Sequence, residues 1–473
     1  MRKTLFCLMA LASMAPAAYG ADWSMWGGST GRNMVNTAEQ NIAAEWDIDA
    51  GKNIKWMVEL GSQSYGNPVI HNGKLFVGTN NGLERDPEVT GDKGIIMVFN
   101  EADGEFLWQA IHDKLPIGRV NDWPEQGICS TVFAEGERIY YVSNRAQLIC
   151  ADTEGFLDGE NDGPFTDEAY SGPQHADFIW ILDMIDELGV FPHNLATSSP
   201  LVVGDMVFLI TSNGVDEGHL TLPSPRAPSF IGVDKNTGKV VWESLLPGRN
   251  ILHGQWSSPS HGVVNGQSQI YFPGGDGIIY ALNPEDGELI WKFDCNPEDS
   301  IWELGGRGTR NNIIATPVFF ENKVFIGVGQ DPEHGVAPGH FFCIDATKTG
   351  DVTDSANIWQ FDGLSRTLSS GSVSNGLVYI ADLNGFLYCL DLADGELLWT
   401  YDTLAAIWGS PTVIDGKVYL GDEDGDIVIL AEGREMKVLG EYSINNAAYT
   451  TPVAANGVLY LANRSEIYAV VNQ

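Results

Sequence analysis

Residues 257 to 293, SSPSHGVVNGQSQIYFPGGDGIIYALNPEDGELIWKF, form a unit that the rest of the chain repeats. The unit reads as four short strands. SSPSHGVV and SQIYFP carry β-branched and aromatic residues between turn signals, IIYALN alternates apolar and small residues, and ELIWKF follows the tight turn PEDG. None of these runs reaches helix length. One four-stranded sheet leaves both faces uncovered, so such a unit is stable only when copies pack face to face.

Copies are present throughout. Heads with a Pro, an apolar pair and a Gly or Asn turn stand at Pro68, Pro200, Pro259, Pro317, Pro411 and Pro452, with degenerate versions at Thr131 and Gly371. Closing strands marked by a Trp follow at Trp108, Trp242, Trp291, Trp359 and Trp399, and weaker ones around Trp180 and Gly440. The last head, at Pro452, has no closing strand after it, and an orphan closing strand, KNIKWMVEL around Trp56, precedes the first head. Joining the two completes an eighth sheet and removes two free edges. The expected fold is therefore all-β, a single eight-bladed propeller of four-stranded blades closed by the N-terminal strand.

The first 20 residues read as a secretory signal: Arg2 and Lys3, an apolar run from Leu5 to Ala12, then small residues before position 21. The expected organisation is a signal peptide over 1–20 and the propeller over 21–473, in a protein exported to the periplasm or secreted. Cys7 lies inside the apolar run, so no lipid anchor is expected, and no later stretch reaches membrane-spanning length. A formal net charge of -37 makes nucleic acid and anionic lipid poor partners. Cys150, Cys343 and Cys389 share one repeat position, the middle of the third strand, where Gly232, Ala281 and Ala469 stand in other copies. This is a slot for a small side chain, so core thiols are expected there rather than disulfides. No CxxCH haem motif occurs.

In a propeller the loops from second to third strand and from one blade to the next share a face. Long ones cluster over blades 1 to 5, including Asn213 to Pro228 and Gln330 to His340. That face is the expected functional one. Positions three residues before each head ring the channel mouth: Tyr65, Ile128, Thr197, Trp256, Ile314, Leu368, Trp408 and Tyr449. The four aromatics either form a stacking platform for a flat ligand such as a quinone or sugar, or pack between blades. Around blade 5, Arg307, Arg310, Asn311 and Asn312 precede the first strand, and Asp331, Glu333, His334 and His340 follow the second. Histidine and carboxylate suit zinc or another transition metal, whereas the arginines suit an anion or an internal ion pair. His193, Asn194 and His253 are further candidates on the same rim.

One insertion falls on the other face. Within Asp152 to Asp177, the residues Asp158, Glu160 and Asp162 before Gly163 copy the first half of an EF-hand loop, with Asp167 nearby. Calcium and a solvated acidic loop are both open readings. Residues 180 to 188 could form a short helix interrupting the closing strand.

The stretches DGIIYALNPEDGELIW and NGFLYCLDLADGELLW resemble the repeats of the pyrroloquinoline-quinone-like propeller superfamily, which includes quinoprotein alcohol dehydrogenases and the propeller of the outer-membrane assembly lipoprotein. The longer loops look like those of exported propellers from planctomycete-type bacteria. The resemblance implies the fold; in the dehydrogenases it would also imply a quinone held between a Trp and a disulfide of adjacent cysteines, with calcium and a catalytic Asp. Trp256 or Trp408 could supply a stacking floor, but no adjacent cysteine pair occurs. Three functions follow as expectations. The first is an exported, non-catalytic ligand- or partner-binding propeller, the second a pyrroloquinoline-quinone-dependent alcohol or sugar dehydrogenase, and the third a metal-assisted hydrolase or lyase.

Overall fold

The computed structural model describes residues 21–472; the signal-peptide stretch expected over 1–20 lies outside them. Eight four-stranded antiparallel blades form the ring, seven of them from consecutive chain, and the sheets of blades 4 and 7 each gain a two-residue parallel strand, Gly350–Asp351 and Val35–Asn36. Blade 4 is representative, with strands Ser260–Val264, Gln267–Pro273, Ile278–Leu282 and Leu289–Asp294. The eighth joins Val453–Ala455, Val458–Ala462 and Glu466–Val470 to Ile54–Glu59, in antiparallel register with Trp56 opposite Ala469 and Val58 opposite Ile467. Closure by the N-terminal strand is thus as expected, and both termini of the ring lose their edges. The closing strand of blade 2, Phe178–Asp183, is intact. A one-turn helix, Met184–Leu188, follows it rather than interrupting it, capped by the Asp183 carboxylate and ended by Gly189 at φ 69°.

The closing-strand tryptophans explain the small slot on the third strand. Trp180, Trp359 and Trp399 stand opposite Cys150, Cys343 and Cys389, while Trp242, Trp291 and Trp56 stand opposite Gly232, Ala281 and Ala469. Blade 1 departs, with Trp108 opposite Val98, and in blade 7 the relation inverts, with Gly440 opposite Ile429. Large faces small because the space between neighbouring blades is fixed by the sheet spacing. All described cysteines are free, including the three in this slot, Cys150, Cys343 and Cys389.

Each indole then reaches the next blade. The Nε1–H of Trp56, Trp108, Trp180, Trp242, Trp359 and Trp399 donates to a backbone carbonyl in the following blade's third-to-closing turn, at 2.9–3.1 Å. The turn glycine at positive φ is the shelf beneath: a Cβ on Gly238, Gly287 or Gly395 would sit 2.6 Å from the tryptophan ring. Blade 4 departs from this. The residues Gly350 and Asp351 add a parallel strand beside its closing strand, and Trp291 instead donates to Gln269, which passes the contact to the carbonyl of Ala346.

Residues 22 to 46 cross the channel on the face opposite the long loops and touch every blade. Backbone hydrogen bonds link Trp23 to Ile70, Ser24 to Ala134, Thr30 to His261, Gly31 to Phe319 and Met34 to Val413. Asn33 and Asn36 bond to Val373 and Ala454 through their side chains. Arg32, fully buried, donates to the carbonyls of Trp26, Ser199, Pro200 and Pro259. This segment therefore plugs the channel, and no repeat signal announced it.

Candidate functional site

The axial channel, closed below by the plug, becomes a chamber of about 510 Å³ that opens toward the long loops. Its lower wall is a ring of hydroxyls and one amide, contributed by the residue immediately before each head. Backbone N–H groups donate to the side-chain oxygen of the next blade's equivalent: Asn67 to Thr131 (3.2 Å), Thr131 to Ser199 (3.0 Å), Ser199 to Ser258 (2.8 Å) and Thr316 to Ser370 (3.2 Å). The series continues from Ser370 to Ser410 (2.9 Å), Ser410 to Thr451 (2.9 Å) and Thr451 to Asn67 (2.7 Å). The Thr316 hydroxyl accepts from the Trp26 indole of the plug, so Trp26 forms part of the chamber's surface.

Above this ring stand the residues two positions earlier. Seven of the eight expected mouth residues line the chamber, and the exception corrects the alignment of blade 2. Thr131 occupies the hydroxyl ring, so the head is Val132 and the lining residue is Cys129; Ile128 is fully buried in the core between blades 1 and 2. Blade 2 has no head Pro; blade 6, with Gly371 in that place, keeps the expected register. Burial pushes the Cys129 thiol up to about 12, so it stays protonated at neutral pH. Tyr65 and Tyr449 stack at 4.9 Å with planes 10° apart, and Trp408 meets Tyr449 edge-on at 5.5 Å. The Trp408 Nε1–H is buried without a partner. Trp256, across the chamber, is pinned by its indole N–H to the carbonyl of His193.

The long loops of blades 3 and 5 and the segments before blades 3 and 4 bring four imidazoles together beside Trp256. His193 and His253 are fully buried, with ring centres 4.2 Å apart, and His219 and His334 each lie 4.4 Å from His253. Asp331 accepts from His253 Nδ1 at 2.9 Å and faces His334 Nδ1 at 3.4 Å. Ring atoms of His219, His253 and His334 and an oxygen of Glu333 lie within 4.8 Å of one another. Burial, followed by the neighbouring His253, lowers the basicity of His193 to about 3 and also lowers that of His219. Burial would raise the Asp331 carboxyl, but the hydrogen bonds from His253 and His334 outweigh it and hold Asp331 well below the usual carboxylate range. Asp331 and Glu333 also line the chamber.

Of the blade 5 candidates, Asp331, Glu333 and His334 converge here; His340 pairs with Asp362 at 2.9 Å and is not part of the cluster. Arg310 forms an ion pair with Asp294, Asn311 is buried against Asn296 and Cys295, and Arg307 donates to the carbonyl of His219 while pairing with Glu303. Asn194 lines the chamber at φ 61°. His219 carries no repeat position or motif; its only sequence signal is a histidine in a long loop of the elaborated face. On the opposite face, carboxylate oxygens of Asp152, Asp158 and Asp162 lie within 4.8 Å of one another. Asp177 accepts from the backbone N–H of Asp162 at 2.6 Å, whereas Glu160 and Asp167 stay exposed outside this group.

An eight-bladed propeller whose plugged axis leaves a ligand-sized chamber is the class that fold and site define. A family model described as outer membrane protein assembly factor BamB matches residues 191–352 and 348–436, more than half of the chain, and the chain belongs to this pyrroloquinoline-quinone-like propeller family. Among curated proteins it is similar to the dehydrogenase subunit of a quinone alcohol dehydrogenase from Komagataeibacter europaeus, 30% identical over 131 residues covering 27% of this chain and 16% of that one. It is also similar to the quinoprotein alcohol dehydrogenase PedH of Pseudomonas putida, 23% identical over 234 residues covering 38% of this chain and 37% of that one. The matched stretches thus span well under half the length of these relatives. Among solved structures it resembles the quinohemoprotein alcohol dehydrogenase of Comamonas testosteroni, with a TM-score of 0.64, 13% identity and coverage of 96% of this chain and 81% of that one. BamB of Moraxella catarrhalis gives 0.55, 15%, 88% and 96%. At these identities the structural likeness shows the fold.

The chamber does not supply what a tricarboxylate quinone needs. None of its lining residues is Lys or Arg, two are carboxylates, and no two cysteines are adjacent in sequence to form the expected disulfide.

Proposed function

We propose that this chain is an exported binding propeller whose axial chamber holds an uncharged, flat small molecule bearing hydroxyl or carbonyl groups at its edge, a neutral sugar being the best match. The observation that carries the reading is the pairing of aromatic faces at the mouth with a ring of hydroxyls and an amide below them. Such a wall stacks an apolar face and leaves hydrogen-bonding groups for an edge. Trp408 adds an indole face to the mouth, and the carboxylates of Asp331 and Glu333 disfavour an anion. The volume of about 510 Å³ lies within the roughly 300–1,000 Å³ range of small-molecule sites. Export is supported by the leader-like first 20 residues, and no helix among the described residues is long and apolar enough to cross a membrane.

Calorimetric titration of the purified protein with neutral mono- and disaccharides, neutral quinones, and pyrroloquinoline quinone with calcium tests this reading. Saturable binding of a neutral ligand is expected, weakened at least tenfold by Trp408→Ala. Binding of the tricarboxylate quinone with dye reduction in the presence of an alcohol would replace the reading with that of a dehydrogenase.

A further inference from the structure

The imidazole cluster beside the chamber contains more hydrogen-bond acceptors than donors. Asp331 is acceptor-only when ionised, so its contacts with His253 and His334 place a proton on the Nδ1 of each. The Nε2 of both rings then carries a lone pair. These two atoms face the same third ring: His253 Nε2 lies 3.2 Å from His219 Nε2, and His334 Nε2 lies 3.0 Å from His219 Nδ1. A neutral His219 has one N–H, which satisfies one contact and leaves the other as two lone pairs in close approach.

A fourth nitrogen adds to the excess. His193 spends its Nδ1 on the carbonyl of Val215 at 2.8 Å, and its fully buried Nε2 has no partner. Glu333 completes the group, with a carboxylate oxygen 3.8 Å from His253 Nε2. Uncompensated lone pairs in a buried site are costly, and a cation at their centre removes the cost.

We propose that His219, His253, His334 and Glu333 bind one divalent first-row transition-metal ion, with His193 available as a further nitrogen ligand and Asp331 as the carboxylate that orients two of the ligating rings. Imidazole nitrogens with one carboxylate favour zinc, cobalt, copper or iron over calcium or magnesium. The Asp331 contacts have the form of the outer carboxylate that fixes the tautomer of metal-bound histidine. The site goes beyond the chamber reading and does not depend on it, because the ligands are assembled by loops whether or not the chamber is filled.

The test is titration of the chelator-treated full-length mature protein with cobalt(II) and then zinc, followed by absorption and by metal analysis. One cobalt per chain is expected, with visible ligand-field bands that zinc abolishes. His219→Ala, in an accessible loop, should weaken binding at least 100-fold without lowering the metal-free melting temperature; His340→Ala, outside the cluster, should leave it unchanged. No cobalt or zinc bound by the folded native chain would overturn the proposal and leave a proton as the shared cation. Undiminished binding in the His219→Ala, His334→Ala double variant would overturn it as well, assigning the metal to surface carboxylates. Sugar titrations run in chelator report the chamber separately, so either reading can fail alone.

Discussion

Arg32 is the residue on which the plug turns. Its guanidinium is fully buried and faces four carbonyls with no carboxylate among them, and burial lowers its pKa to about 9, which still leaves it charged at neutral pH. Arg32→Met removes the donors and leaves buried carbonyls unpaired, so a loss of about 3 kcal/mol or more is expected in denaturant unfolding. Asp276 poses the opposite case. Burial raises its carboxyl to about 7, only partly offset by the hydrogen bond from Tyr280 and by Arg310, which is itself paired with Asp294. An acid whose pKa rises on folding binds more protons in the folded state between its unfolded value, near 4, and 7. Stability therefore falls as pH rises through that window, by up to ~4 kcal/mol for this group. Asp422, raised to about 6, adds to the slope at its lower end. Melting temperatures from pH 4 to pH 8 should show the decline, and Asp276→Asn should flatten it while stabilising the protein at pH 8.

The blade is an element that carries its own fastening. In five blades the closing-strand tryptophan fits over a small residue of its own sheet and donates its indole N–H to the next blade's turn. Trp399→Ala should cost about 3–5 kcal/mol, as for other buried aromatic deletions. Cys389→Leu, which fills the slot opposite Trp399, should cost about 1–3 kcal/mol by overpacking, whereas Cys389→Ala should cost far less. Equilibrium unfolding of the three variants tests the ranking. If Cys389→Leu were neutral, the slot would have no steric role. In blade 7 the Tyr442 ring lies over Gly440, and Trp46, from the N-terminal segment, packs against Tyr442 at 4.9 Å.

Across the whole molecule, strand Ile54–Glu59 shuts the ring and residues 22 to 46 cross its axis, so one stretch of chain both closes the circle and floors the chamber. Deleting residues 21 to 46 should open the channel, abolish any chamber affinity that depends on Trp26, and lower the melting temperature while leaving Ile54–Glu59 to pair. Retention of full stability by the truncated chain would show that the contacts to eight blades add nothing to the ring.

Blade count, closure and the small-residue slot of the third strand were legible in the sequence, because each follows from a local period or turn that most repeats share. The mouth residues followed from the same register, and failed only at Ile128, where the first strand of blade 2 sits one residue further along than Thr131 suggests. The plug was not legible, and of the imidazole cluster His193, His253 and His334 were singled out but His219 and the contacts among the four were not. His193, His219, His253 and His334 come from four irregular segments, and whether neighbouring candidates such as His340 and Arg310 join them or pair away with Asp362 and Asp294 depends on how the loops fold over the rim. Periodicity fixes strands because each is bonded to the next. It says nothing about segments that repeat no pattern, and there only packing in three dimensions chooses the partners.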